Sequence, residues 1–354
     1  MSICPAIKSL QPYQGGKPIS ELQRELGLDK VVKLASNENP LPTSQKVRVA
    51  IEQAASEIGR YPDGNGFELK QAISRHLSMS ADGITLGNGS NDLLELVARA
   101  YVCDACDEVI FSQYAFVVYP LVTQALGAKA VVTPAKDFGH DLEAMLSAIT
   151  NNSKLIFIAN PNNPTGTLLS DDAVYAFLSK VPNTVTVVLD QAYIEYLDAD
   201  DNAIGWLQEF DNLIITRTFS KAYGLAGLRV GYSICSAKIA DYLNRIRQPF
   251  NVNHIAQSAA IAVLADKEFI AQSVSKNKQG LMQLAKGFDA LGLSYIPSSA
   301  NFIAIKVSDA MAIYQQLLAQ GFIVRPVEMP NYVRISVGTK NENTAFLDTL
   351  KSLI

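Results

Sequence analysis

The amino-acid sequence predicts an α/β protein with a large doubly wound, mostly parallel sheet domain and a smaller α+β domain. Strand-like apolar runs alternate with amphipathic helical stretches as far as Tyr232, as in a parallel sheet covered by helices. A chain of 354 residues also exceeds the size at which one hydrophobic core keeps growing. Beyond Pro249 the sequence becomes helical and polar. We therefore predict an N-terminal segment (1–40), a large domain (41–247) and a small domain (248–354).

The first elements follow from the spacing of apolar residues. A short strand is predicted over residues 31–35, and an asparagine-rich turn follows it. The helix that begins at Ser44 carries its apolar residues on one face and stops before a Gly/Pro turn at residues 61–66. A second helix, 67–77, leads to a strand at 84–86. This alternation of helix and strand is what a parallel sheet requires.

A glycine-rich loop at residues 87–92 separates the strand 84–86 from the next helix. Glycine lets the backbone approach a ligand closely, and the first N–H groups of a helix favour an anion, so Ser90 and Asn91 are candidate phosphate ligands. Many α/β connections with nothing bound have the same pattern. The loop therefore indicates an anion site only together with other motifs.

Polar residues follow the buried strands of the predicted sheet. The run 154–159 is continuously apolar, as in a central parallel strand, and two prolines and a glycine hold Asn163 in the turn after it. The next strand ends in Asp190, with Tyr193 close behind, and a buried carboxylate costs several kcal/mol unless it meets a cation. Ligands of open α/β sheets bind beyond these strand ends. Tyr114, after an earlier strand, could stack on a flat ring or pack in the core.

Lys221 lies in a turn of small residues directly after the apolar run 213–215. The small neighbours leave room for a bulky group, while Ser220 and Arg229 supply a hydroxyl and a planar cationic fork that fits phosphate. An amine beside phosphate-binding groups suggests pyridoxal phosphate, which turns a poorly nucleophilic lysine into a covalent anchor. The alternative is an ordinary surface lysine in a glycine-rich loop.

The small domain is predicted from strands at 301–305, 322–325 and 332–337 around a helix at 310–320. Its strands carry Arg325 and Arg334, each after an apolar run that would bury its stem, so the two guanidinium groups should converge on a substrate anion. The alternative is that one of them forms a surface ion pair. The last helix begins with a capping box at Thr339 and Glu342.

Composition points to a small-molecule partner. A net charge of -4 and a pI near 5.5 give no basic surface for nucleic acid, and no apolar run approaches membrane-spanning length. Residues 1–13 lack a positively charged leader followed by an apolar block, so we expect a cytoplasmic protein. The four cysteines, Cys4, Cys103, Cys106 and Cys235, do not form a disulfide framework, and the C-x-x-C pair reads as a turn rather than a redox or zinc site. We predict no metal.

In this order the motifs resemble the fold-type I pyridoxal-phosphate aminotransferases, over nearly the whole chain: 89–91, 160–166, Asp190 with Tyr193, Ser220 with Lys221, Arg229 and Arg334. Within that superfamily, the stretches 33–40, 61–67, 218–231 and 248–253 resemble the histidinol-phosphate aminotransferases.

The resemblance implies a role for each matched residue. Lys221 would bind the cofactor aldehyde, and Asp190 would pair with the pyridine nitrogen. The catalytic residues would be Lys221, Asp190 and Tyr193. The remaining implied contacts are Asn163 and Tyr193 to the ring oxygen, Tyr114 on the ring face, Ser90, Asn91, Ser220 and Arg229 at the phosphate with Tyr61 from a second subunit, and Arg325, Arg334 and Asn37 at the substrate. Residues 1–40 would contribute to the small domain and the interface of a homodimer.

The implied reaction transfers an amino group from L-histidinol phosphate to 2-oxoglutarate, giving imidazole acetol phosphate and L-glutamate in histidine biosynthesis. Two departures from the family pattern bear on it: Gln191 stands where glutamate is common, and the loop 326–331 is shorter than usual. Strand alternation should point Gln191 away from the ring. The alternatives are a broad-specificity aromatic aminotransferase, a decarboxylase of a phosphorylated amino acid, and a non-catalytic sensor on the same fold.

Overall fold

The computed structural model describes residues 3, 5–12, 15–198 and 201–354, so Cys4 and part of the segment 1–13 lie outside the described residues. The helices are α1 Pro5–Lys8, α2 Ile19–Leu26, α3 Gln45–Ala55, α4 Phe67–Leu77, α5 Ser90–Tyr101, α6 Val118–Ala125, α7 Leu142–Ser147, α8 Asp171–Leu178, α9 Ala203–Trp206, α10 Ala237–Ile246, α11 His254–Leu264, α12 Lys267–Ala290, α13 Ala310–Ala319 and α14 Lys340–Lys351. The strands are β1 Val32–Lys33, β2 Ile84–Gly87, β3 Glu108–Ser112, β4 Lys129–Thr133, β5 Ala135–Lys136, β6 Gly139–His140, β7 Ser153–Ala159, β8 Thr186–Asp190, β9 Leu213–Thr218, β10 Gly231–Ile234, β11 Tyr295–Ile296, β12 Phe302–Lys306, β13 Phe322–Ile323, β14 Arg325–Pro326 and β15 Tyr332–Ser336.

A seven-stranded sheet in the order β2-β10-β9-β8-β7-β3-β4 forms the centre of the large domain. Its strands are parallel except β10, which runs antiparallel to both of its neighbours. Alternate side chains of β7 enter two different cores: Ile156 and Ile158 pack in one, and Leu155 and Phe157 in the other. Because strand side chains alternate between faces, this buries both sides of the sheet. The predicted doubly wound, mostly parallel α/β fold is confirmed.

The small domain is an antiparallel sheet in the order β11-β12-β15-β14, packed against helices α12, α13 and α14. Strand β1 of the N-terminal segment pairs in parallel with β13, so this segment joins the small domain. The capping box at the start of α14 is present, with Thr339 and Glu342 each bonding the other's backbone N–H.

The core of the large domain continues past the predicted boundary at residue 247. Val252 and the α11 residues Ala256, Ala260 and Val263 are buried in the same core as α3 and α4. The small, apolar residues of α11 pack closely against both helices. The division of the chain at 40 and 247 stays a prediction.

Three free cysteines lie in the described part of the chain: Cys103 and Cys106 are exposed between α5 and β3, and Cys235 is buried after β10. Within the same residues, no group of three or more His, Cys, Asp or Glu side chains could hold a metal ion. None of the described helices is long and apolar enough to span a membrane.

Candidate active site

A cavity of about 400 Å³ lies beyond the carboxyl ends of β7, β8 and β9, between the two sheets. This is where an open α/β sheet binds ligands. The sequence-predicted residues that line it are Asn37, Ser90, Asn91, Asn163, Asp190, Tyr193, Ser220, Lys221, Arg229, Arg325 and Arg334. Residues separated by up to about 300 positions in the chain thus meet in one place.

Lys221 extends from the turn after β9 into this cavity. Its Nζ donates a hydrogen bond to the Ser36 carbonyl oxygen at 3.1 Å and lies 5.8 Å from the centre of the Tyr193 ring. Burial, together with the positive charge of Arg334, lowers the Lys221 pKa to about 7. At neutral pH, Lys221 is therefore a neutral amine in a substantial fraction of the protein molecules, whereas an ordinary lysine is almost fully protonated.

Asp190, the last residue of β8, is only 4% exposed. Burial raises the pKa of Asp190 to about 6, although a hydrogen bond that the Tyr119 hydroxyl donates to Oδ2 at 2.9 Å favours the ionised form. The other oxygen, Oδ1, is buried and has no hydrogen-bond partner among the described residues. A buried carboxylate oxygen without a donor is open to a cationic or N–H group of a ligand.

The start of α5 and the turn after β9 lie side by side in the cavity wall. Ser90 is the first residue of α5, after Gly89 with φ +84. A Cβ on Gly89 would lie 2.3 Å from Arg229 Nη2, so only glycine lets this guanidinium approach the helix start. Arg229 Nη1 also donates to Ser220 Oγ at 3.1 Å. Helix N–H groups, two hydroxyls and a guanidinium thus converge at one end of the cavity.

Asn37 connects the N-terminal segment to both domains. Its Nδ2 donates to the Tyr193 hydroxyl oxygen at 2.9 Å, and its backbone N–H donates to Ser336 Oγ at 2.8 Å. Asn37 is 2% exposed and has φ +54, a left-handed conformation that asparagine tolerates better than most residues. This contact holds the Tyr193 side chain, whose ring centre lies 5.8 Å from Lys221 Nζ.

Arg325 and Arg334 line the same cavity from β14 and β15. Arg334 is 8% exposed, donates from Nη2 to the Ala35 carbonyl oxygen at 2.8 Å and from Nη1 to Asn163 Oδ1, and lies over the Phe302 ring. These contacts hold its planar fork in a defined orientation. The cavity is therefore lined by three arginines, a lysine and a buried carboxylate.

The chain matches the family model for class I and II aminotransferases over residues 29–350. It is 54% identical to histidinol-phosphate aminotransferase 1 of Idiomarina loihiensis, over 99% of this chain and 96% of that protein. It is also 54% identical to histidinol-phosphate aminotransferase of Methylobacillus flagellatus, over 98% and 96% of the two chains. The chain belongs to the histidinol-phosphate aminotransferase family. The crystal structure of a Sinorhizobium meliloti member in complex with pyridoxal-5'-phosphate has a TM-score of 0.90 and 32% identity, covering 99% of this chain and 98% of that one.

Two predicted aromatic residues of this family member lie away from the cavity. Tyr114 stacks on Phe138 and packs in a cluster with Tyr332, whereas Phe116, two residues later, lines the cavity. The turn after β3 thus directs Phe116, and not Tyr114, toward the cavity, and the contact of Tyr114 with a cofactor ring stays a prediction. Tyr61 is 83% exposed and stacks on Phe250 at 4.6 Å, outside the cavity of its own chain.

Gln191, the departure from the family pattern, also points away from the cavity, as strand alternation predicts. Its Oε1 accepts hydrogen bonds from Nε and Nη2 of Arg217, which is 3% exposed. Asp201 forms an ion pair with the same guanidinium. Burial raises the pKa of the neighbouring Glu195 to about 7, while the Arg217 charge opposes the shift. The amide thus binds a buried arginine that already has a carboxylate partner.

Proposed function

We propose that this protein is a pyridoxal-phosphate-dependent aminotransferase that converts L-histidinol phosphate and 2-oxoglutarate into imidazole acetol phosphate and L-glutamate. The observation that carries the proposal is the cavity that Lys221, with its lowered pKa, lines together with the buried Asp190 and the arginines of β14 and β15. The identity of more than half of the residues with relatives of that name supports the choice of substrate.

The residues of the cavity fit pyridoxal phosphate. The unpartnered Asp190 Oδ1 suits a protonated pyridine nitrogen, and Ser90, Ser220 and Arg229 suit the phosphate. Phe116 lines the same cavity and suits the face of a flat ring. When bound, this cofactor supplies an electron sink for the bonds of the substrate Cα.

The protein's own side chains would bind, orient and move protons. Lys221 would hold the cofactor covalently and then, as an amine with a pKa lowered to about 7 by burial and Arg334, accept and return a proton at Nζ. Asp190 would remain an acceptor at Oδ1. Tyr193, held by Asn37, would orient the ring oxygen together with Asn163. Each of these groups is held by contacts with other protein groups, which lowers the cost of reorganisation.

Arg325 and Arg334 are the proposed partners of the substrate phosphate. A monocarboxylate needs one bidentate partner, whereas a phosphate dianion can engage two guanidinium groups. An amino donor with a phosphate at the far end from its amine therefore fits this cavity better than phenylalanine or tyrosine. With 2-oxoglutarate in the second half-reaction, carboxylates would take the same positions.

We further propose a homodimer in the cytoplasm in which Tyr61 of each subunit reaches the cofactor phosphate of the other. The exposure of Tyr61, its stack on Phe250 and the neighbouring exposed Ile58 and Phe67 support an interface at this surface. A closed two-fold is the commonest oligomer, and each subunit would then complete the other's site.

Absorbance spectra of the purified, cofactor-loaded protein test the reaction. Histidinol phosphate should convert the aldehyde form of the cofactor to its amine form, and 2-oxoglutarate should then restore the original spectrum. Conversion by phenylalanine but not by histidinol phosphate would favour an aromatic aminotransferase. Release of carbon dioxide without any need for a keto acid would instead indicate a decarboxylase.

A further inference from the structure

Tyr119 is a fully buried tyrosine at the start of α6, outside the motifs that predicted the site. Its ring stacks on Phe157 of β7, with centroids 4.6 Å apart and planes inclined by 4°. On another side its ring meets the edge of Phe116, which lines the cavity, at 5.8 Å and 87°. Two aromatic contacts therefore fix the direction of the Tyr119 hydroxyl.

That hydroxyl donates to Asp190 Oδ2 at 2.9 Å. Of the two carboxylate oxygens, Oδ2 is thus occupied, while Oδ1 has no hydrogen-bond partner in the described part of the chain. A side chain with one oxygen anchored and the other open has a defined orientation toward the cavity that it lines. Tyr119 is the side chain that creates this asymmetry.

The same contact acts on the charge of Asp190. A donor to an ionised carboxylate stabilises the ionised form, which burial at this site disfavours. The Thr216 side chain on β9, the Ala192 backbone and the Lys221 charge act in the same direction as Tyr119. Burial and the neighbouring Asp190 hold the pKa of Tyr119 well above its usual range, so the hydroxyl stays protonated and remains a donor.

We infer that Tyr119 is a positioning residue that orients the Asp190 carboxylate, keeps it ionised and leaves Oδ1 for the cofactor's pyridine nitrogen. The inference rests on the proposed function for the identity of that nitrogen. The effect of Tyr119 on Asp190 itself does not require the cofactor.

The substitution Tyr119→Phe tests the inference, since it removes the hydroxyl and keeps the stacking ring. In cofactor-free protein, the Asp190 pKa, measured by NMR of ¹³C-labelled carboxyls and assigned with Asp190→Asn, should rise by about one unit because a charge-assisted hydrogen bond is lost. In protein loaded with cofactor labelled with ¹⁵N in the ring, the resonance should move toward that of neutral pyridine. Turnover should fall about tenfold, with a smaller change in KM.

Tyr223→Phe is the matched control, because it also removes a buried hydroxyl, one that lies 3.4 Å from His76 Nε2. It should leave both resonances unchanged. If Tyr119→Phe does not fold, 3-fluorotyrosine incorporated at position 119 keeps the contact and strengthens the donor, so the Asp190 pKa should fall instead.

An unchanged Asp190 pKa in a folded Tyr119→Phe protein, or in the fluorotyrosine protein, would overturn the inference and leave Tyr119 as core packing. A wrong proposed function would give a different result in these measurements. Wild-type protein would then not bind pyridoxal phosphate, while the carboxyl measurement, which needs no cofactor, would still give the expected shift.

Discussion

Arg325 and Arg334 are register partners on the neighbouring antiparallel strands β14 and β15, and both line the cavity. Side chains in such a pair point to the same face of the sheet, and like charges opposite one another are destabilising. An anion bound between them would remove this repulsion. We therefore expect the pair to favour a doubly charged group over a singly charged one.

Arg325→Ala should raise KM for histidinol phosphate much more than KM for phenylalanine. Charge-assisted hydrogen bonds contribute about 1.5 to 3 kcal/mol, which corresponds to roughly a 10- to 150-fold increase for the phosphorylated donor. Arg245→Ala, which removes an exposed arginine paired with Asp241 on α10, is the control. Steady-state kinetics with both donors checks this, and equal weakening of the two would remove Arg325 from the phosphate.

Lys221 should make the stability of the cofactor-free protein depend on pH. Its pKa is lowered from 10.5 to about 7 in the folded state by burial and Arg334, so between these values the unfolded chain binds more protons. Stability from this group therefore rises with pH across that window, and its cost is complete below about pH 7. Lys221→Met removes the dependence. The gain in the free energy of unfolding of this variant should be larger at pH 6 than at pH 9.

Urea unfolding at the two pH values measures this difference. Lys238→Met, at an exposed position on α10, should give the same difference from wild type at both. An effect of Lys221→Met that does not change with pH would mean that this lysine titrates as it does in water.

Gln191→Glu, which restores the residue common in the family, should change kcat/KM by less than about twofold. The side chain lies against Arg217 and away from the cavity. A second carboxylate would gain an ion pair with that arginine but would also approach Glu195, and changes that do not touch the reacting groups have small effects. A loss of tenfold or more would show that the Arg217 network controls the orientation of Asp190.

Mixing Tyr61→Phe subunits with Lys221→Ala subunits should regain activity that neither variant has alone, provided that Tyr61→Phe is strongly impaired. In the heterodimer one site combines an intact Lys221 with the partner's Tyr61. Random exchange should therefore return about a quarter of the wild-type sites in a closed two-fold dimer. No gain on mixing would mean that Tyr61 serves its own subunit, and a monomer by light scattering would exclude the shared site.

The positions of the strand-end residues could be predicted because they follow from the local sequence pattern. Asp190 and Lys221 each follow a buried apolar run, and in a parallel sheet such ends meet at one edge. The place of Ser90 at the start of a helix after a glycine loop was predictable for the same reason. These inferences need only the order of elements and the chemistry of the residues.

Other features depend on contacts in three dimensions that the local sequence pattern does not predict. Tyr114 and Phe116 flank one alanine in the same turn, and only the path of that turn decides which ring lines the cavity. Tyr119 has the sequence spacing of an ordinary core residue. Its hydroxyl reaches Asp190 only because the fold brings α6 close to the end of β8. The placement of α11 depends in the same way on packing against α3 and α4, since Pro249 suggests a boundary there.

The central claim is that Lys221 is the amine that binds the cofactor. Borohydride reduction of the loaded protein, followed by proteolysis and mass spectrometry, should find the reduced cofactor on Lys221. Lys221→Ala should still bind the cofactor, through Ser90, Ser220 and Arg229, but release it intact after the same treatment, with turnover lowered by about 10²-fold or more. A label on any other lysine of the wild-type protein would contradict the account.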